Sequence, residues 1–187
     1  MNERAAQAVR EFLEALGVDL EAEGMQRTPE RVTRMFELLF SGRGRETKTI
    51  WGETFETDSG GIVAVQHIPF FSVCEHHLMP FFGEVGIAYL PHYGRVAGFS
   101  KFSRIVETLA RRPQLQERLT REIAVEIERG LEADGVMVVV SAQQLCMMVR
   151  GELALGTRTV TVEALGAMGG GERFYEQAWR LLTEGRR

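Results

Sequence analysis

At 187 residues the chain can bury one substantial core and is too short for two comfortable domains. Apolar and charged fractions of 44% and 26% are ordinary for a globular protein, and a net charge of -4 argues against bulk nucleic-acid binding, which needs a basic face. No run approaches membrane-spanning length and Met1-Asn2-Glu3-Arg4 lacks a secretory pattern, so a cytoplasmic protein without membrane partners is expected, its two cysteines reduced or metal-bound.

Residues 3 to about 16 space Ala6, Val9, Phe12, Leu13 and Leu16 at helical intervals, and Gly17 ends the run. A second helix is expected from Thr28, a candidate cap, with Pro29 in its first turn and Val32, Met35, Phe36, Leu39 and Phe40 as its stripe. Residues 43 to 60 show no period and read as a loop. Strands follow at Ile62 to Ile68 and Gly83 to Leu90, then a helix opening at Gly98-Phe99-Ser100-Lys101 and running to Arg112. Leu115, Leu119, Ile123, Ile127 and Leu131 mark another helix, Val136 to Val140 a buried strand, and Thr157 to Glu163 an alternating one. Gly169-Gly170-Gly171 reads as a hinge before a last helix containing Phe174, Trp179 and Leu182. The order strand, strand, helix, helix, strand, strand defines an α+β class, with residues 1–60 as a helical region and loop and 61–187 as one structural unit.

Cys74-Glu75-His76-His77 lies between the first two strands, and Cys146 is the only other cysteine. Taken singly, these residues fit buried thiols and a loop His-His pair; together, Cys-x-x-His and a distant Cys have the ligand arithmetic of a zinc site. Three protein ligands, rather than the four of a closed structural site, leave a position for water, and His76 is free to move protons.

The runs Thr28-Pro29-Glu30-Arg31-Val32, Cys74-Glu75-His76-His77, Gly98-Phe99-Ser100-Lys101 with Arg104, Arg112-Pro113-Gln114-Leu115-Gln116-Glu117-Arg118-Leu119-Thr120, and Cys146-Met147 with Arg150-Gly151 resemble the GTP cyclohydrolase I family from about residue 25 onward. The resemblance implies a tunnelling fold, in which a four-stranded antiparallel sheet carries two helices between its second and third strands. It also implies assembly into an oligomeric barrel, a homodecamer with active sites at subunit boundaries, and zinc-dependent opening of GTP at guanine C8. The products it implies are formate and 7,8-dihydroneopterin triphosphate, the latter for folate and pterin synthesis. By similarity Cys74, His77 and Cys146 hold the zinc and His76 serves the purine ring. Gln116 and Glu117 recognise guanine, against the plain reading of a solvated helix face; Ser100, Lys101, Arg104 and Arg150 take the triphosphate. Arg111, Arg112 and Arg158 read as surface charges or subunit contacts.

One position departs from the pattern. The family usually has Glu-Ala-x-His-x-Cys where this chain has Ser141-Ala142-Gln143-Gln144-Leu145-Cys146, so Gln144 stands in the place of a second catalytic histidine. Glutamine forms hydrogen bonds but carries no proton through an acid-base step. Two other readings therefore stay open: a paralogue that stops at a ring-opened formylated pyrimidine or takes a related purine or pterin, and a non-catalytic GTP or pterin binder. His67 and His92 are the remaining histidines and the candidates to replace the lost proton carrier.

Overall fold

The computed structural model describes residues 1–58, 60–152, 154–170 and 172–184. Among them no helix is long and apolar enough to cross a membrane. The chain forms two compact units, Met1–Ser41 and Gly42–Arg187.

The first unit packs α1 (Glu3–Ala15) against α2 (Thr28–Leu39). Asn2 caps α1, its side chain accepting from the Ala5 N–H at 3.1 Å. Thr28 is the first helical residue of α2 rather than its cap; Arg27 holds the cap position without a side-chain bond. Phe12 and Leu16, expected on the inner stripe of α1, are exposed.

In the second unit, α3 (Lys48–Trp51) and β1 (Phe55–Glu56) interrupt the stretch expected to be loop. β2 (Val63–Cys74) and β3 (Pro80–Leu90) form a hairpin, followed by a 3-10 turn at His92–Gly94 and β4 (Arg95–Val96), which pairs with β1. Next come α4 (Ser100–Ala110), β5 (Pro113–Gln114), α5 (Gln116–Leu131), β6 (Gly135–Gln144), α6 (Leu145–Met148), β7 (Thr159–Gly166), α7 (Ala167–Gly170) and α8 (Glu172–Thr183). The main sheet runs β5-β2-β3-β6-β7. It thus has five strands where four antiparallel ones were expected: β5 adds to β2 in parallel, a pairing too short to leave a hydrophobic signature. Gly169-Gly170 belongs to α7 rather than to an open hinge, and Gly171 lies outside the described residues.

β6 reads as an unbroken apolar run because both its faces are covered. Val136, Val138 and Val140 join the core under α4 and α5, where Phe102, Ile105, Leu119, Ile123 and Ile127 are wholly buried. Met137 and Val139 face the other way, into a smaller cluster with Ala88, Met168, Ala178 and Leu182. A bulge between Val65 and Ile68 places His67 at φ 56° and shifts the register of β2 against β3. Beyond it the pairing runs unbroken to Val73 opposite Pro80, which brings the mouth of the hairpin to the chemistry-bearing residues.

Candidate metal centre and active site

Cys74 is the last residue of β2, and residues 75–79 turn the chain into β3. The turn is closed by the Cys74 N–H donating to Met79 O and the Leu78 N–H donating to Cys74 O, both at 2.9 Å. It is anchored sideways as well. The Glu75 N–H donates to Gln114 O of β5 at 3.1 Å, and the Arg118 guanidinium of α5 grips both Glu75 oxygens at 2.7 and 2.9 Å. Hydrogen bonding to Arg118 holds the Glu75 carboxyl below its ordinary range. Cys146 arrives from the far side of β3, because Phe81 pairs with Gln144 and the chain turns at once into α6.

The ligand atoms of Cys74, His77 and Cys146 lie within 4.8 Å of one another. Tetrahedral zinc with sulfur at about 2.3 Å and nitrogen at about 2.0 Å places such atoms roughly 3.5–3.8 Å apart, so closure around an ion needs only small shifts. The donor set fits the metal: two buried thiols and an exposed imidazole, with no fourth His, Cys, Asp or Glu in the cluster among the described residues. Burial, and then the adjacent Cys74 sulfur, push the Cys146 thiol up; a bound cation reverses that preference. His76 is exposed, its Nδ1 3.9 Å from Cys74 Sγ. Arg150 Nη1 lies 3.0 Å from His77 Nε2, and its other nitrogen donates to Glu152. Arginine only donates, so in this arrangement Nε2 of His77 is the acceptor.

The remaining expected residues divide between two places. Gln116 and Glu117 open α5 beside the metal turn, but their side chains differ in kind. Gln116 is 4% exposed and its amide nitrogen donates to the sheet, so its side chain is not a solvated helix face. Glu117 is exposed in the first turn, its carboxylate without a described partner. Gln144 donates to Gln116 Oε1 at 2.6 Å.

Ser100, Lys101 and Arg104 lie elsewhere. The Ser72 hydroxyl donates to Ala110 O at 2.8 Å, which puts the carboxyl end of α4 at the metal end of the sheet. Ser100 opens the same helix ten residues earlier, about 15 Å away along its axis. That end packs against Tyr89, stacked on Phe102 at 5.5 Å, and the Lys101 ammonium donates to the carbonyls of Trp51 and Glu53. One chain therefore gathers the metal cluster, His76, Arg150, Gln144, Gln116 and Glu117 at one end and leaves Ser100, Lys101 and Arg104 at the other.

His67 and His92 lie outside the cluster of this chain: His67 pairs with Glu84 at 2.8 Å and His92 with Asp134 at 2.7 Å. Sequence reasoning missed the Glu75–Arg118 clamp and the Gln144–Gln116 bond. Both pairs lie within the quoted motifs, but nothing in periodicity or spacing marks them as partners.

Fold and site together define an α+β protein with a Cys-His-Cys cluster at the mouth of a hairpin, open on one side and flanked by a second histidine. The sequence model of the GTP cyclohydrolase I family matches residues 5–182. Proteins named GTP cyclohydrolase 1 align over most of their length. The one from Clostridium perfringens strain 13 is 44% identical over 181 residues, covering 97% of each chain. Those from Caldanaerobacter subterraneus subsp. tengcongensis and Clostridioides difficile strain 630 are each 48% identical, the first covering 85% of both chains and the second 88% of this chain and 87% of its own. The chain belongs to the GTP cyclohydrolase I family.

Proposed function

We propose that this protein is a zinc-dependent GTP cyclohydrolase that hydrolyses the guanine ring at C8, releases formate and forms 7,8-dihydroneopterin triphosphate. The observation that carries the reading is the meeting of Cys74, His77 and Cys146 within 4.8 Å beside an exposed, unligated His76. Cys74, His77 and Cys146 would hold the zinc ion, which would supply Lewis-acid chemistry at the reacting carbon. The chain's own residues do the rest. His76 delivers and removes a proton at the purine ring. Glu117 accepts from the N1 and N2 hydrogens of guanine, a paired donor edge that adenine lacks. Arg150, at the metal end, meets the triphosphate with charge-assisted hydrogen bonds.

Ser100, Lys101 and Arg104 belong to this reading as triphosphate ligands of a neighbouring copy's site. Their distance from the metal within one chain supports an active site shared between subunits, and the family resemblance favours a homodecamer as the assembly. The exposed edge of β7 is a physical invitation to such partners.

Incubation of zinc-loaded protein with GTP tests the proposal. It is expected to give one formate per GTP and, after oxidation, fluorescent neopterin; neither product over many hours would sink it. Gln144 favours one second reading, in which ring opening proceeds but a later proton transfer stalls. That reading predicts loss of GTP absorbance with accumulation of a formylated pyrimidine, and full turnover in Gln144→His.

A further inference from the structure

The side chain that replaces the family's histidine sits in a hydrogen-bond network whose orientation can be worked out. Gln116 Nε2 lies 3.2 Å from Val140 O, 2.9 Å from Thr159 O and 3.1 Å from Thr161 Oγ1. Main-chain carbonyls only accept, so the nitrogen of this amide must face β6 and β7 and its Oε1 must face away. That oxygen is 2.6 Å from Gln144 Nε2, which fixes the second amide in turn: its nitrogen points at Gln116 and its own carbonyl points elsewhere. Thr120 donates to the Gln116 main-chain carbonyl at 2.7 Å, which leaves Thr161 to donate to Thr120 across 2.6 Å. Every polar atom of the Gln116 side chain is thereby satisfied, and Gln144 supplies the only hydrogen reaching Oε1 among the described residues.

The consequence runs up α5. Without Gln144 the Oε1 of a 4% exposed residue loses its partner, and a buried unpaired acceptor costs more than a hydrogen bond contributes. The turn so loosened carries Glu117 next in sequence and then Arg118, which grips the metal turn through Glu75. A histidine at 144 can donate to Gln116 with one ring nitrogen and keep the other for proton transfer. Glutamine retains the donor and gives up the proton carrier.

We propose that Gln144 is a positioning residue: by donating to Gln116 it holds the first turn of α5 so that Glu117 meets the donor edge of guanine. The inference rests on the guanine-binding role proposed above, and it makes an asymmetric prediction. Gln144→Glu is nearly isosteric, yet it sets a carboxylate against Gln116 Oε1. Gln116 cannot turn to help, because its nitrogen is held by two carbonyls. Gln144→His keeps the lock; Gln144→Leu removes it.

The test measures binding of GTP and ATP to the zinc-loaded protein before the first turnover, in the wild type and in Gln144→Leu, Gln144→Glu and Gln144→His. The preference for GTP over ATP should fall about tenfold or more in the Leu variant, the scale of one unpaired hydrogen-bonding group, and at least as far in the Glu variant. Gln144→His should keep the wild-type preference. Affinity for ATP, which reports the phosphate contacts, and zinc content should stay constant; a general structural lesion would move them. A preference within twofold of wild type in the Glu variant overturns the proposal, even if the Leu variant fails to fold. A wild type that makes no formate while the variants lose guanine preference defeats the cyclohydrolase reading and leaves this one standing. A wild type indifferent between GTP and ATP removes both.

Discussion

The two ends of α4 are built differently. At its carboxyl end, β2, β3, β5, α5 and β6 converge, and the metal turn and its neighbours are tied down by Cys74 to Met79, Glu75 to Gln114 and Arg118, and Gln144 to Gln116. At its amino end Ser100 and Arg104 are exposed, and Lys101 is held by the carbonyls of Trp51 and Glu53. One end is preorganised within a single chain; the other presents exposed polar and charged side chains, with Lys101 held by main-chain carbonyls. The contrast teaches that residues expected to serve one substrate do not all meet within one folded copy.

The sharpest way to break this contrast is at the metal. Cys146→Ser should abolish zinc retention and lower formate production about a thousandfold or more, since the Lewis acid accounts for several kcal/mol of the barrier; metal analysis beside a formate assay checks both. His76→Ala should leave zinc bound and cost roughly a hundred- to ten-thousand-fold in kcat, the usual share of general acid-base help.

At the other end of α4 a different signature is expected. Arg104→Ala should raise KM for GTP about tenfold to a hundredfold, the scale of a lost charged hydrogen bond, with zinc content unchanged. An Arg104→Ala protein that loses zinc would show that the two ends are not separate.

The smallest effect concerns the clamp on the metal turn. Both partners are exposed enough for solvent to screen them, so Arg118→Ala should speed zinc loss to a chelator only a few-fold, less at high salt. Glu75 is held below the usual carboxylate range, so the clamp is intact at neutral pH and is lost as pH falls through that lowered value. Chelator competition at falling pH in wild type and Arg118→Ala should therefore converge in acid.

Much of this was legible in the residues alone. Period-four spacing of Leu119, Ile123, Ile127 and Leu131 gave α5, and alternation of Val85, Ile87 and Tyr89 gave β3, because each buries one face. The cysteine count and Cys-x-x-His spacing pointed to a cluster that the fold assembles from two distant segments. What escaped was set by pairing rather than pattern. β5 is two residues long, α3 only four, and Thr28 lost its expected capping role to Arg27. Gln116 looked like a helix-surface polar residue, because nothing local reveals that Val140, Thr159 and Gln144 close over it.

The shared-site reading can be tested most directly by co-expressing two chains, Cys146→Ser and Lys101→Ala/Arg104→Ala, and measuring formate in the purified hybrid at GTP well below the wild-type KM, where neither parent alone is expected to turn over detectably. If the metal end of one copy works with the amino end of α4 from another, the hybrid regains activity that neither parent shows. Hybrids as inactive as both parents would mean that each chain works alone, and would contradict the account.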